Sequence, residues 1–194
     1  MLSRMRKVIY KHIDPLIGAV ARMIPYPNII TILGLIFAII LAIISKLSTN
    51  YVLILVLYVL SAVADIMDGA VARRLEKTSV KGSFLDSICD RISDILYVFV
   101  LLNIGILGID ELMLIIMGTY LISYTRAKAE SLGISMESIG LMERAERTLV
   151  ILIMIILKMI LINILLLKII TMLYIVLIYI TVLQRLIFFL KKSS

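Results

Sequence analysis

Long apolar segments constrain this chain more than any other feature of its sequence. They follow one another with few charges inside them, and each has close to the roughly 20 residues that a helix needs to cross a bilayer. Backbone polar groups in lipid must be bonded within each segment, and nothing alternates like a barrel strand, so the segments are predicted to be helices. We place six spans at about residues 28–46, 51–72, 86–107, 111–130, 147–164 and 167–188.

The last two spans belong to one apolar stretch, which runs from Leu149 to Leu183. This stretch is nearly twice as long as one bilayer crossing requires, so we expect it to fold back near Asn163–Lys168. Hydrophobic residues make up 62% of the 194 residues, whereas soluble domains contain about half. The length allows one domain.

The predicted architecture is therefore an all-α integral membrane protein with one domain over residues 1–194. Residues 28–188 are expected to form a six-helix transmembrane bundle. Residues 2–24 mix basic and apolar side chains, which predicts an amphipathic helix that lies on the membrane surface before the first span.

Lysine and arginine residues set the predicted orientation. With both termini in the cytoplasm, all but three of the 20 lie on the cytoplasmic side, the exceptions being Lys46, Lys158 and Lys168. We therefore expect a multi-pass protein of the plasma membrane, with its functional residues facing the cytoplasm. This bias accounts for the net charge of +7, and no motif supports nucleic-acid binding. The only cysteine is Cys89 and the only histidine is His12, so a zinc site built from these residue types is excluded.

Aspartates are concentrated where the second predicted span ends and the third begins. Asp65 and Asp68 are three residues apart and share a helix face, as do Asp86 and Asp90, which are four apart. We expect a connection of about a dozen residues to bring the two pairs together on the cytoplasmic side. Charge inside a membrane is costly and indicates function. Asp94 lies one turn further on and is predicted not to bind metal.

Converging carboxylates repel one another unless they are protonated or bind cations. Magnesium and manganese prefer oxygen ligands, and two such ions can clamp a phosphoryl displacement. Gly69 and Gly82 would let a ligand approach the backbone, and Arg73 could bind phosphate. Any one of these aspartates could be a helix cap or a solvated residue. The four together, at fixed offsets from the glycines and Arg73, indicate a functional site.

Residues 65–90 read DIMDGAVARRLEKTSVKGSFLDSICD. This segment resembles the signature of CDP-alcohol phosphotransferases, D-x2-D-G-x2-A-R-x8-G-x3-D-x3-D, and every specified position matches. The resemblance implies six spanning helices behind an amphipathic helix, a cytoplasm-facing polar cavity and a homodimer. It also implies divalent metal, two Mg²⁺ or Mn²⁺ ions, as the cofactor.

The resemblance implies a role for each matched residue. Asp65, Asp68 and Asp86 are expected to hold metal, and Asp90 to complete the cluster and to act as the base on the acceptor hydroxyl. Asp90 can serve as the base only if metal does not saturate it. The residues expected to bind the CDP-lipid are Asn28, Thr31, Asp68, Gly69, Ala72, Arg73 and Gly82.

Two of these residues come from a Pro-Asn-x-x-Thr segment that begins at Pro27, a segment that helps bind the CDP end in the family. Asn28 has an equally good local explanation as the N-cap of the first span.

Basic residues also lie at the cytoplasmic ends of three spans: Arg126, Lys128, Arg144, Arg147 and Arg185. Each alone can be explained by the positive-inside bias, but together they could surround one anionic group. Gly140 to Arg147 read GLMERAER and resemble the G-x-x-E-R-x-E-R segment of phosphatidylinositol-phosphate synthases and their archaeal counterparts. This resemblance implies that inositol 1-phosphate is the acceptor.

The predicted enzyme moves the phosphatidyl or archaetidyl group of CDP-diacylglycerol or CDP-archaeol to inositol 1-phosphate and releases CMP. The same chemistry with glycerol 3-phosphate, serine or free inositol is the alternative. A cation transporter would explain aspartates in the membrane but not the glycine and arginine spacing, and its acidic groups should lie near the midplane.

Overall fold

The computed structural model describes residues 14–160 and 163–193. Within these ranges residues 14–23 form helix α1. The helices that follow are α2 (Pro27–Leu47), α3 (Tyr51–Arg74), α4 (Val80–Asn103), α5 (Ile109–Ser131), α6 (Arg144–Met159) and α7 (Ile164–Ser193). The described residues contain no strand, so the prediction of an all-α protein is confirmed.

Each of the six predicted spans overlaps one of the helices α2 to α7, although the third and fifth spans were predicted to end at residues 107 and 164, beyond Asn103 and Met159. In the described part of the chain, α2, α3 and α7 are long and apolar enough to cross a membrane by length and composition. Helix α6, by contrast, has 16 residues, fewer than the roughly 20 of a full crossing. Six crossings and an interfacial N-terminal helix remain predictions, and residues 2–13 of the predicted helix lie outside the described ranges.

Several boundaries differ from those predicted. Tyr26 is the N-cap of α2 and Pro27 is its first residue, so the prediction that Asn28 is the N-cap is wrong. Proline suits this first position because it lacks the N–H that would have no partner there. The connection before α4 covers only residues 75–79, because α4 begins at Val80 and includes polar residues that the apolar pattern left out.

The fold-back between the last two helices comes earlier than predicted. Helix α6 ends at Met159 and α7 begins at Ile164, so Lys168 lies within α7. The side chain of Asn163 accepts a hydrogen bond from the backbone N–H of Leu165, at 2.9 Å. An Asn before a helix satisfies one of its first N–H groups, and this local bond favours the earlier start.

The described residues up to Val100 form one compact unit, the N-terminal unit. Helices α2 and α3 approach closely at Gly34, where an added Cβ would lie 3.2 Å from the Cβ of Ala64. Ser61 of α3 donates to the carbonyl of Gly34 at 2.7 Å, and its hydroxyl also lies 2.7 Å from that of Tyr97 in α4. These buried bonds tie three helices together and fix the register of α3 against α4.

Helix α1 packs on the same unit through Ile17 and Ala21, which belong to a buried apolar cluster with residues of α2 and α3. An ion pair of 2.5 Å between Arg74, the last residue of α3, and Asp14 reinforces this contact. The ammonium group of Lys77 donates to the carbonyl of Pro25 at 2.8 Å, which ties the α3–α4 connection to the segment before α2.

The described residues from Leu101 onward form a second compact unit, the C-terminal unit. Helices α5 and α7 pack closely because Gly118 has no side chain, and a Cβ there would collide with Ile178. Near the start of both helices Lys168 and Glu111 form an ion pair of 2.7 Å.

Candidate active site

Three of the predicted carboxylates come together in the N-terminal unit. Asp65 of α3 and Asp86 and Asp90 of α4 are half-buried, and each offers an oxygen within 4.8 Å of the others. The spacing of the sequence puts each pair on one helix face, and the packing of α3 on α4 brings the faces together. Three converging carboxylate oxygens of this kind fit a hard divalent cation.

Asp68 is held separately from this group. Its side chain is 4% exposed, and its Oδ2 accepts a 2.5 Å hydrogen bond from Thr31 of α2. Its Oδ1 accepts from the backbone N–H of Gly69, also at 2.5 Å. Thr31 therefore orients a carboxylate of the motif. The sequence analysis expected Thr31 to bind the CDP-lipid and did not anticipate this contact with Asp68.

The predicted nucleotide-binding residues lie in two places. At the start of α4, a Cβ added to Gly82 would lie 3.1 Å from the Oδ1 of Asn28 and 3.1 Å from the Oγ of Ser79. On α3, a Cβ added to Gly69 would lie 3.3 Å from the guanidinium of Arg73. Any larger side chain would crowd these polar groups, so both glycines keep space open beside them.

Sequence reasoning missed Ser79, although its signal was present. Its hydroxyl accepts a 3.0 Å hydrogen bond from the N–H of Gly82, the usual geometry of an N-cap serine. A serine three residues before a motif glycine, at the start of a helical pattern, could have identified it. Asp94 is 6% exposed, and among the described residues it lies outside the group of three carboxylates.

The predicted acceptor-binding residues all belong to the C-terminal unit and differ in exposure. Arg126 pairs with Glu130, one turn along α5, at 2.9 Å, and both side chains are largely exposed. Lys128 is exposed in the last turn of α5. Arg144 is half-buried as the first residue of α6, where the N-terminal backbone N–H groups favour a bound anion.

The other two arginines are buried and bind the protein's own backbone. Arg147 is 4% exposed and donates to the carbonyl of Met142 at 3.1 Å. Arg185 is 2% exposed and donates to the carbonyls of Ile139, at 2.9 Å, and Ile122. Its guanidinium also lies 3.8 Å from the carboxylate of Glu143. Sequence reasoning identified these basic residues but did not predict their contacts with the backbone.

The carboxylate group lies in the segment whose motif resembles the CDP-alcohol phosphotransferase signature. Residues 24–188 match the model of the CDP-alcohol phosphatidyltransferase family, and the chain belongs to this family. It is an integral membrane protein with apolar helices.

The chain is also similar to individual proteins. The chain is 40% identical over 158 residues to archaetidylinositol phosphate synthase of Aeropyrum pernix, an overlap that covers 80% of this chain and 79% of the relative. It is also similar to the crystal structure of Mycobacterium tuberculosis phosphatidylinositol phosphate synthase with CDP-DAG bound, at a TM-score of 0.76 and 25% identity, over 89% of this chain and 90% of that one. The same protein was solved with manganese and citrate, at a TM-score of 0.74 and 26% identity, over 89% and 86% of the two chains.

Proposed function

We propose that this chain transfers the archaetidyl or phosphatidyl group of a CDP-linked lipid to a hydroxyl of inositol 1-phosphate and releases CMP. The observation that most strongly supports the proposal is the convergence of three carboxylates at motif positions, in a chain that resembles archaetidylinositol phosphate synthase. These carboxylates belong to Asp65, Asp86 and Asp90. The 40% identity to an archaeal relative favours CDP-archaeol as the donor. CDP-diacylglycerol is the alternative donor, because the structural relative binds it.

The three converging carboxylates are proposed to hold divalent metal, two Mg²⁺ or Mn²⁺ ions, with Asp68 as a further ligand. Their oxygens are hard donors, as these ions require. Bound metal would supply charge neutralisation for the diphosphate and for the departing CMP. Thr31 holds Asp68 in one orientation through its hydrogen bond.

In the proposed reaction an acceptor hydroxyl attacks the lipid-side phosphorus of the CDP-lipid. A new P–O bond forms, the P–O bond to CMP breaks, and CMP leaves with the bonding electrons. The hydroxyl loses its proton as attack proceeds, and Asp90 accepts it through an oxygen that is not engaged as a ligand. Asp90 is half-buried in the carboxylate group, and its position at the end of the motif suits this role.

The donor would be bound through the two glycine positions of the motif. Gly82 lies beside Asn28, which can bond polar groups of cytidine, and Gly69 lies beside Arg73, which can bind the diphosphate. Ala72 is half-buried on α3 and leaves room next to Arg73.

The acceptor phosphate would be bound by cations of the C-terminal unit. Arg144 and Arg147 are three residues apart at the start of α6 and share a face. Guanidinium groups match phosphate oxygens in pairs, and the helix N-terminus adds backbone donors. Arg126 and Lys128, exposed at the end of α5, would add positive charge near the phosphate. Arg185 would belong to the same acceptor site.

The active site is proposed to face the cytoplasm from the plasma membrane, since the positive-inside bias places both ends of the motif there. The enzyme is proposed to be a homodimer with one domain over residues 1–194, as the family resemblance implies.

The decisive experiment is acceptor competition with purified enzyme in detergent or lipid vesicles. Labelled CDP-archaeol and CDP-diacylglycerol are each offered with inositol 1-phosphate, inositol, serine and glycerol 3-phosphate, and CMP release is measured. We expect turnover with inositol 1-phosphate to be fastest and to vanish when a chelator removes metal. Faster turnover with another acceptor would refute the acceptor, and full activity in chelator would refute the metal site.

A further inference from the structure

Residues 132–143, which we call the bridging segment, join α5 to α6 without regular helix but in a defined conformation. Its backbone has positive φ at Gly133 (82°), Ser138 (61°) and Gly140 (121°). Two of its side chains, Met136 at 1% and Met142 at 4% exposed, are buried. The left-handed backbone conformation of Ser138 is costly for a residue other than glycine, so the segment needs specific partners that keep it in place.

Helix α7 supplies two of these partners. Thr181, fully buried, accepts a 3.0 Å hydrogen bond from the backbone N–H of Met142. Arg185, one turn later on the same face, donates to the carbonyl of Ile139 at 2.9 Å. Gly140 lies between these two bonds and directly over Thr181, where an added Cβ would collide with the threonine methyl group. The segment is thus fastened at both sides of a glycine that only fits without a side chain.

The fastened residues lead directly into the basic start of α6. Arg144 follows Met142 by two residues, and Arg147 donates to the carbonyl of Met142 at 3.1 Å. The same peptide region therefore receives one bond from α6 and gives one bond to α7. Any displacement of Met142 would move the arginines proposed to bind the acceptor phosphate.

We propose that Thr181 and Arg185 are positioning residues that hold the bridging segment, and with it Arg144 and Arg147, in the conformation that binds the acceptor phosphate. The inference rests on the proposed function, and it gives Arg185 a positioning role in addition to its proposed place at the acceptor site. The geometry supports this role because its Nε and one Nη already donate to backbone carbonyls, and because the side chain is 2% exposed. Thr181 carries no charge, so an effect of its loss on the acceptor can come only through the segment.

The test uses a matched pair of threonines on α7. Thr171 and Thr181 are both fully buried, and each hydroxyl donates to the carbonyl four residues earlier, at 2.9 Å. Thr181 also accepts a hydrogen bond from the backbone N–H of Met142 in the bridging segment. Thr→Val keeps the side-chain volume nearly unchanged at both positions, so Thr171→Val is the control for Thr181→Val.

Two quantities are compared with the wild-type protein. One is the KM for inositol 1-phosphate, judged relative to kcat and to the KM for the CDP-lipid, and the other is the rate of amide hydrogen exchange of residues 132–143. For Thr181→Val we expect faster exchange in the segment and an acceptor KM raised about 5-fold or more, because a buried N–H loses its partner. The KM for the CDP-lipid should stay within about twofold, the range of surface substitutions with small effects. Thr171→Val should change neither quantity.

Arg185→Lys is the second variant, in case Thr181→Val folds poorly. It keeps the charge but cannot reach two carbonyls with a planar fork. We expect it to show the same faster exchange and raised acceptor KM, and the faster exchange is the result that direct phosphate binding by Arg185 alone would not produce. Unchanged exchange in both variants, or faster exchange with an unchanged acceptor KM, would overturn the proposal. If wild-type enzyme does not use inositol 1-phosphate, the proposed function fails separately, and the KM comparison is made with the acceptor that does support turnover.

Discussion

The carboxylate group of the N-terminal unit and the bridging segment of the C-terminal unit are built in opposite ways. Asp65, Asp86 and Asp90 project from two regular helices, and their spacing along the sequence already pairs them. The bridging segment is irregular and is held by single side chains, among them Thr181 and Arg185, from a helix about 40 residues further along the chain.

This difference has a physical origin. A cluster of like charges gains from rigid helices, because the distances between the carboxylates are then set by packing and not by mobile loops. A connection that leaves regular structure has unpaired backbone groups, and burying it requires side chains that bond those groups. Buried arginines suit this task because they offer several donors in one plane.

The largest effect on turnover is expected from a substitution of Asp90 in the carboxylate group. Asp90→Asn should lower kcat about 100- to 10,000-fold, as the loss of a general base does. CDP-lipid binding should be less affected than in Asp68→Asn, which alters a residue expected to bind both metal and CDP-lipid. The measurements are CMP release and binding of a labelled CDP-lipid.

Asp94→Asn is the matched control, since Asp94 lies on the same helix one turn beyond the motif. It should leave manganese affinity, followed by the electron paramagnetic resonance of free Mn²⁺, unchanged. A near-normal rate for Asp90→Asn, or metal coordinated by Asp94 in a crystal structure, would contradict the assignments.

An intermediate effect, on the KM for the acceptor, is expected from a substitution at the start of α6. Arg144→Gln removes a charge-assisted contact worth about 1.5–3 kcal/mol, so the acceptor KM should rise on the order of 10- to 150-fold. The KM for the CDP-lipid should not follow it. Arg22→Gln removes the same charge from an exposed position on α1 and serves as the control. Equal losses for both substrates would mean that Arg144 is only part of a charged surface.

The smallest effect, on the affinity for metal, is expected when one of the buried hydroxyls that join α3 to α4 is removed. Tyr97→Phe keeps the ring beside Tyr58, whose centroid lies 4.6 Å away, but removes the bond to Ser61. A single such bond contributes about 0.5–1.5 kcal/mol, so the affinity for Mn²⁺ should fall roughly 2- to 10-fold.

Tyr120→Phe, at an exposed tyrosine of α5, should leave metal affinity unchanged. If Tyr97→Phe also binds Mn²⁺ normally, the hydroxyl pair does not set the register of the carboxylates. The carboxylate group would then depend on helix packing alone, and the comparison with the bridging segment would become sharper.

Local patterns in the sequence predicted much of the helical structure. Apolar length predicted where α2 to α7 lie, and helical spacing predicted which aspartates share a face. The boundaries at Val80 and Asn163 were missed because polar first turns and caps interrupt an apolar pattern without interrupting a helix. The role of Asn28 as an N-cap was wrong because Pro27 beside it begins the helix.

The sequence by itself determined the motif, its carboxylates and the helices that carry them, because these depend on residues within a few turns of one another. Only the tertiary structure decided that Thr31 holds Asp68, that Ser61 meets Tyr97, and that Arg185 bonds the backbone of a distant segment. These contacts join residues 36 to 46 positions apart, and no periodicity encodes them. They depend on which helix faces meet when the chain packs, and on which backbone groups that packing leaves in need of a partner.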